Sequence, residues 1–134
     1  MKKYIFVVSL LCLLAACTGK RQGEAAAEVA ALPAVEDVVM YQVNPRVFAP
    51  EKSFKAVERR LDSIQTLGIN VVWFMPINEV GQEKSVNSPY CVKDYKGVNP
   101  EFGTLDEFKA LVATCHQKGM NVIIDWVANH TSWD

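Results

Sequence analysis

Clustered positive charge is missing from this chain. No run of Lys and Arg is longer than a pair, and the formal net charge is −1. Nucleic-acid binding needs basic patches that neutralise phosphates, so the sequence argues against a nucleic-acid partner. The four cysteines include no C-x-x-C or similar metal-ligand spacing. No G-x-G-x-x-G follows an apolar strand, which weakens a dinucleotide-binding reading. No apolar run reaches the roughly 18 residues of a transmembrane helix. What is present is a globular composition, 50% hydrophobic and 22% charged over 134 residues, enough for one domain.

The N-terminus reads as an address. Met1-Lys-Lys is a positive start, and Tyr4 to Leu14 is a short apolar core. Leu14-Ala-Ala-Cys17 then places small residues before a cysteine, so residues 1–16 read as a secretory signal peptide and not as a structural helix. The last four residues resemble the bacterial lipobox, in which cleavage precedes the cysteine and that cysteine carries the lipid. Cys17 is therefore the expected lipidation site, with an ordinary signal peptide and an incidental cysteine as the alternative. Acyl chains contribute about 0.8 kcal/mol per buried CH₂, so a lipid on Cys17 would hold the protein at a membrane. The expected location is exported and membrane-anchored, in the periplasm or at the cell surface. Residues 17–36 have no sustained apolar period and are expected to be a flexible tether, with room for a short Ala-rich helix around Glu24–Ala31. Removing residues 1–16 takes Lys2 and Lys3 and no acid, so the remainder is more acidic. Cys91 and Cys115 would remain in a compartment that permits disulfides. Cys115 falls on the apolar face of a helix, where a buried free thiol is the expectation.

Residues 37–134 alternate between two periods. Val38–Val43 is a strand candidate, closed by Asn44-Pro45. Phe54, Val57, Leu61, Ile64 and Leu67 recur at spacings of three and four, which predicts one amphipathic helix stopped by Gly68. Asn70–Met75 is a second buried strand, ended by Pro76. An irregular segment runs from about Asn78 to Gly103. Thr104-Leu-Asp-Glu107 is a capping box that opens a helix with Phe108, Leu111, Val112 and Cys115 inside and Gly119 at its end. Val122–Ile124 is the third strand. Strand–helix–strand–helix–strand implies a parallel sheet, the start of a (β/α)₈ barrel or of a doubly wound sheet. Most βα loops have about 2–6 residues, and long loops at the C-terminal face usually carry function.

The richest stretch is Asn121-Val-Ile-Ile-Asp-Trp-Val-Ala-Asn-His130. A β-branched apolar run there ends in Asp125, Asn129 and His130, at the strand end where α/β enzymes place their chemistry. A complete (β/α)₈ barrel needs about 250 residues, and three strands leave open apolar edges. The expectation is thus the N-terminal portion, about three βα units, of a barrel left incomplete at Asp134. A small complete α/β domain that covers its edges another way is the alternative.

Four segments, in order, carry a family resemblance over residues 38–134. Tyr41-Gln-Val-Asn-Pro-Arg-Val-Phe48 and Trp73-Phe-Met-Pro76 are similar to the first two barrel strands of alpha-amylase family glycoside hydrolases. Ser88-Pro-Tyr-Cys-Val-Lys-Asp-Tyr95, continuing through Val98-Asn-Pro-Glu-Phe-Gly-Thr104, resembles the loop before their second helix. Asp125-Trp-Val-Ala-Asn-His130 resembles their first signature region. The resemblance implies an α/β (β/α)₈ TIM barrel that hydrolyses α-glucosidic bonds of starch or maltodextrin-type glucans with retention of configuration. Tyr90 would stack on the sugar at the cleaved bond, His130 would hydrogen-bond its hydroxyls, and Asp125 would orient neighbouring charged groups. Asp94 would support the Tyr90 loop. Asn129 matches a calcium ligand in many members, which brings calcium in as a cofactor and an α-glucan or maltooligosaccharide as substrate. The family's nucleophilic aspartate and acid/base glutamate belong to later strands and have no counterpart in this sequence, so the 134 residues alone are expected to be inactive. Transglycosylation or debranching on the same scaffold, and a non-catalytic glucan-binding relative, stay open.

Overall fold

In the computed structural model the described residues are 31–134. The signal peptide 1–16, the tether up to residue 30 and the lipid site Cys17 lie outside them. A single 3-10 turn, Val35–Asp37, leads into strand β1, Met40–Val43. A short helix α1, Pro45–Phe48, follows, with the Asn44 side chain accepting from the Arg46 N–H. Helices α2 (Ser53–Glu58) and α3 (Leu61–Gln65) lead to β2, Val71–Phe74. Two short strands, β3 (Glu79–Val80) and β4 (Val92–Asp94), come next. Helix α4 (Leu105–Gln117) then leads to β5, Asn121–Ile124.

Strands β1, β2 and β5 form one parallel sheet with β2 in the middle. Its rows run Tyr41–Val72–Val122 and Val43–Phe74–Ile124. Side chains alternate across a strand, and Val43, Val72 and Phe74 point to the helices and are buried, with Tyr41 and Val122 packed beside them. They meet Phe54 and Val57 of α2, Leu61 and Ile64 of α3, and Phe108, Leu111 and Cys115 of α4. Phe54 sits between Phe102 and Phe108, with ring centroids 6.1 and 5.0 Å away. Burying an aromatic of this kind contributes about 2–3 kcal/mol. The opposite face of the sheet holds Gln42, Val71, Trp73 and Ile123, and Met40 and Ile123 on it remain exposed.

The capping box is present in full. Thr104 Oγ1 accepts from the Glu107 N–H at 3.1 Å, and Glu107 Oε2 accepts from the Thr104 N–H at 2.9 Å. Gly119 ends this helix at φ 74, a left-handed conformation that favours glycine. Cys115 is fully buried and free. Burial, reinforced by the negative charge of Glu58, pushes its thiol up to about 12.

Two local expectations change. The single helix from Phe54 to Leu67 is two helices, because the Arg60 N–H bonds Val57 O at 2.8 Å and tightens the turn between them. Leu67 leaves the apolar face and is 67% exposed. The Leu67 and Gly68 N–H groups bond three residues back, to Ile64 and Gln65, and a 3-10 turn rotates each residue further than an α-helix does. The segment from Asn78 to Gly103 is not wholly irregular: β3 and β4 pair antiparallel within it. Two residues of β3 are too few to show a period of two in the sequence.

Candidate active site

The sheet register builds the first part of the site. Trp73 of β2 stands beside Ile123 of β5, and Asp125 lies two residues further along the same face. The ladder continues to that point, with the Asp125 N–H bonded to Phe74 O at 2.9 Å. The Trp73 indole therefore reaches Asp125, and Nε1 donates to Oδ1 at 2.7 Å. The Tyr90 hydroxyl donates to the other carboxylate oxygen, Oδ2, at 3.0 Å. Tyr90 is 38% exposed. Partial burial, then the hydrogen bond to Asp125 and the charge of that carboxylate, push its phenol above the ordinary tyrosine value.

The Tyr90 loop is a sequence of tight turns. Ser88 N–H bonds Ser85 O, Cys91 N–H bonds Ser88 O, and the Tyr90 N–H bonds Ser88 Oγ at 3.3 Å. Val86 and Asn87 stand at φ 47 and 56, and Val86 is a β-branched residue in a left-handed conformation that costs energy. Arg46, just after β1, donates to Asn87 O at 2.8 Å and ties this turn to the sheet.

The second part of the site is the peptide after Asp125. Trp126, Val127, Asn129, His130 and Thr131, together with Tyr95, line an open recess of about 490 Å³. The Tyr95 hydroxyl lies 2.6 Å from Val127 O and 2.9 Å from His130 O, holding the bend of this peptide. Asn129 Nδ2 and His130 Nδ1 are 3.2 Å apart. An amide nitrogen only donates, so with the amide placed this way Nδ1 accepts and Nε2 keeps its proton for an outside acceptor.

A clamp fixes the end of that peptide. Thr131 Oγ1 and the Ser132 N–H both donate to Val92 O of β4, at 2.5 and 2.9 Å. The Asp134 carboxylate accepts from the Gln82 N–H at 2.9 Å and lies 3.8 Å from Lys93 Nζ. The Gln82 backbone bond is the main reason that its carboxyl falls to about 2. Lys84 Nζ stands 3.5 Å over the Trp133 ring, a cation–π contact. Gly81 makes the close approach possible: a Cβ there would lie 2.2 Å from Ser132 Cβ.

Of the site residues read from the sequence, Tyr90 and Asp125 are joined directly. His130 and Asn129 meet each other and, among the described residues, share no hydrogen bond with that pair. Asp94 accepts from the Lys96 N–H at 2.8 Å and shapes the turn after β4, with no hydrogen bond to Tyr90. Trp73, Tyr95 and Gly81 carry parts of the site that sequence reasoning missed. Strand alternation puts Trp73 on the Asp125 side, opposite Val72 and Phe74, and is the one signal for it. Calcium takes six to eight oxygens. Asn129 is exposed and offers one amide oxygen, and no group of three or more His, Cys, Asp or Glu among the described residues could hold an ion. These residues by themselves do not form a calcium site.

Known proteins share sequence and fold with this chain. The family described as alpha-amylase, "Alpha amylase, catalytic domain", matches residues 51–134. An oligo-1,6-glucosidase of Halalkalibacterium halodurans is 33% identical over 102 residues, which are 72% of this chain and 18% of that protein. A human amino acid transporter heavy chain is 38% identical over 98 residues, 69% of this chain and 14% of that one. A crystal structure of an alpha-amylase from Lactobacillus plantarum superposes with a TM-score of 0.65 at 42% identity, covering 71% of this chain and 23% of that one. The chain thus spans less than a fifth of the length of the curated relatives it matches. Its three parallel strands and their helical crossovers correspond to part of a (β/α)₈ barrel. The chain belongs to the alpha-amylase family, and residues 51–134 are part of that family's catalytic domain.

Proposed function

We propose that these residues are the front of a retaining glycoside hydrolase that cleaves α-glucosidic bonds in maltooligosaccharides or starch-type glucans. One observation carries the reading. At the C-terminal end of the parallel strands, Asp125 fixes a partly exposed tyrosine, Tyr90, by a 3.0 Å hydrogen bond. A sugar ring has an apolar C–H face that suits an aromatic platform, and the bond to Asp125 restrains the ring before substrate arrives. His130 Nε2–H supplies a donor for a sugar hydroxyl, and such bonds can strengthen in the transition state. Hydrolysis with retention needs two carboxyls about 5–5.5 Å apart across the bond, and those belong to later strands. If the whole enzyme binds calcium, Asn129 contributes one ligand among several supplied from elsewhere.

The whole protein is further proposed to be exported and anchored by a lipid on Cys17, supported by the Lys-rich start, the apolar core and Leu14-Ala-Ala-Cys17. Cys17→Ser should move it from the membrane fraction to the soluble one; an unchanged distribution refutes the anchor.

A second reading, a barrel that binds a partner or glucan without cleaving it, is favoured by one fact. A relative named for transport is 38% identical over 98 residues of this chain. The test is turnover of maltotriose by the full-length protein, with the product anomer followed by NMR. Release of the α-anomer, and a loss of about tenfold or more in kcat/KM for Tyr90→Ala with little change in Tm, supports the hydrolase. Binding without turnover supports the second reading. Wild-type kinetics in Tyr90→Ala refutes the stacking role.

A further inference from the structure

The Asp125 carboxylate has two oxygens, and each receives a hydrogen from a different element. Oδ1 takes the Trp73 indole N–H from the central strand at 2.7 Å, and Oδ2 takes the Tyr90 hydroxyl from the long loop at 3.0 Å. Rotation of a carboxylate about χ2, a broad torsion, moves both oxygens together, so a hydrogen bond at either oxygen restrains it and the bond from the sheet helps to place the oxygen that meets the loop. Held at both, its plane is set. Trp73 is the better fixed of the two donors, because it belongs to the middle strand of the sheet and is hydrogen-bonded on both sides. Tyr90 is in a loop whose local bonds are turn bonds around Ser88. Order therefore passes from the sheet, through the carboxylate, to the loop aromatic.

We propose that Trp73 is a positioning residue for Tyr90. Its indole N–H sets the Asp125 carboxylate in the orientation that receives the Tyr90 hydroxyl, so the central strand fixes the angle of the aromatic platform. This rests on the reading above, in which Tyr90 faces the saccharide; the physical link among the three side chains stands apart from it. Trp73 does not touch the substrate. Its effect is carried by Asp125, and the effects of removing Trp73 N–H and Tyr90 O–H are then not additive.

The link is tested without turnover by labelling tyrosine ring carbons in the full-length protein and titrating Tyr90, identified by its absence in Tyr90→Phe. Trp73→Phe keeps a six-membered aromatic ring in the strand and removes the five-membered ring that carries the N–H. With Asp125 free to turn away, the Tyr90 phenol loses its acceptor and its midpoint falls toward the ordinary tyrosine value. An unchanged midpoint in a folded Trp73→Phe protein overturns the proposal. The kinetic consequence is a cycle of Trp73→Phe, Tyr90→Phe and the double variant on maltotriose. Each single change lowers kcat/KM about tenfold, and the double variant is no worse than the poorer single. Multiplicative losses, or a Trp73→Phe protein altered in Tm but not in kcat or KM, also overturn it. A shifted Tyr90 titration in a full-length protein that never turns over maltotriose keeps Trp73 in its role and removes the hydrolase reading instead.

Discussion

Gly81→Ala should release the segment after His130 from the β3–β4 hairpin. The φ of Gly81 is not in the left-handed region, unlike those of Gly68, Gly103 and Gly119, so alanine is not excluded by backbone conformation. The cost is steric. The new Cβ would fall 2.2 Å from both Ser132 Cβ and Ser132 Oγ, and 2.4 Å from Asp134 Oδ1. The contact includes Ser132 Cβ, an atom close to the main chain, so the backbone has to move. Two hydrogen bonds to Val92 O, from Thr131 Oγ1 and the Ser132 N–H, then break. At about 1 kcal/mol net for each, the docked state loses about 2 kcal/mol. The exposed Asp134 bonds are left out of that sum. About 2 kcal/mol is roughly a thirtyfold change in an equilibrium constant. Amide hydrogen exchange measures it directly: Ser132 should lose roughly thirtyfold protection. Amides of the sheet and of α4 should be unaffected, because the atoms nearest the new Cβ belong to Ser132 and Asp134, which are not members of the core cluster. Unchanged Ser132 protection would refute the clamp. Loss of protection throughout the sheet would refute its local character.

The remaining predictions concern titratable groups. Cys115 is fully buried with its thiol held at about 12, so in the native chain near pH 8 an alkylating reagent should modify the half-buried Cys91 and spare Cys115 until urea unfolds the protein. Because the unfolded thiol ionises first, Cys115 makes stability decline as pH rises from about 9 towards about 12; native alkylation of Cys115 at the rate of Cys91 would contradict this. Asp134 has its carboxyl depressed to about 2 from 3.8, so its contribution to the clamp is complete above about 4 and is lost as pH falls through about 2. Its carboxyl carbon should titrate near 2 by NMR, and a midpoint close to 3.8 would show that the Gln82 contact does not form.

How much of this was legible in the sequence depends on the distance over which each feature is decided. The capping box at Thr104 and Glu107 joins residues three positions apart and was readable as such. The apolar faces of α2–α4 were readable because residues three or four apart share a face. The break at Arg60 and the exposure of Leu67 were not, since a 3-10 turn and an α-turn fit the same short apolar pattern. The β3–β4 pair was hidden because two residues carry no period, and what joins Glu79 to Asp94 is a partner strand across the Tyr90 loop. Tyr90, Asp125, Asn129 and His130 were legible as candidates through the family's motifs, whereas their partners were not.

The sequence by itself determined the alternation of buried strands and amphipathic helices, and with it the parallel sheet, because both rest on local periodicity. It also set the side of the sheet on which Trp73 stands, since side chains in a strand alternate strictly. Only the tertiary structure decided what those side chains touch. Trp73 meets Asp125 across 52 residues of chain, Tyr90 meets Asp125 across 35, and Tyr95 holds His130 across another 35. No local propensity encodes such pairings. They follow from the register of β2 against β5 and from the close approach at Gly81, and both are fixed only when the helices have packed and the long loops have closed.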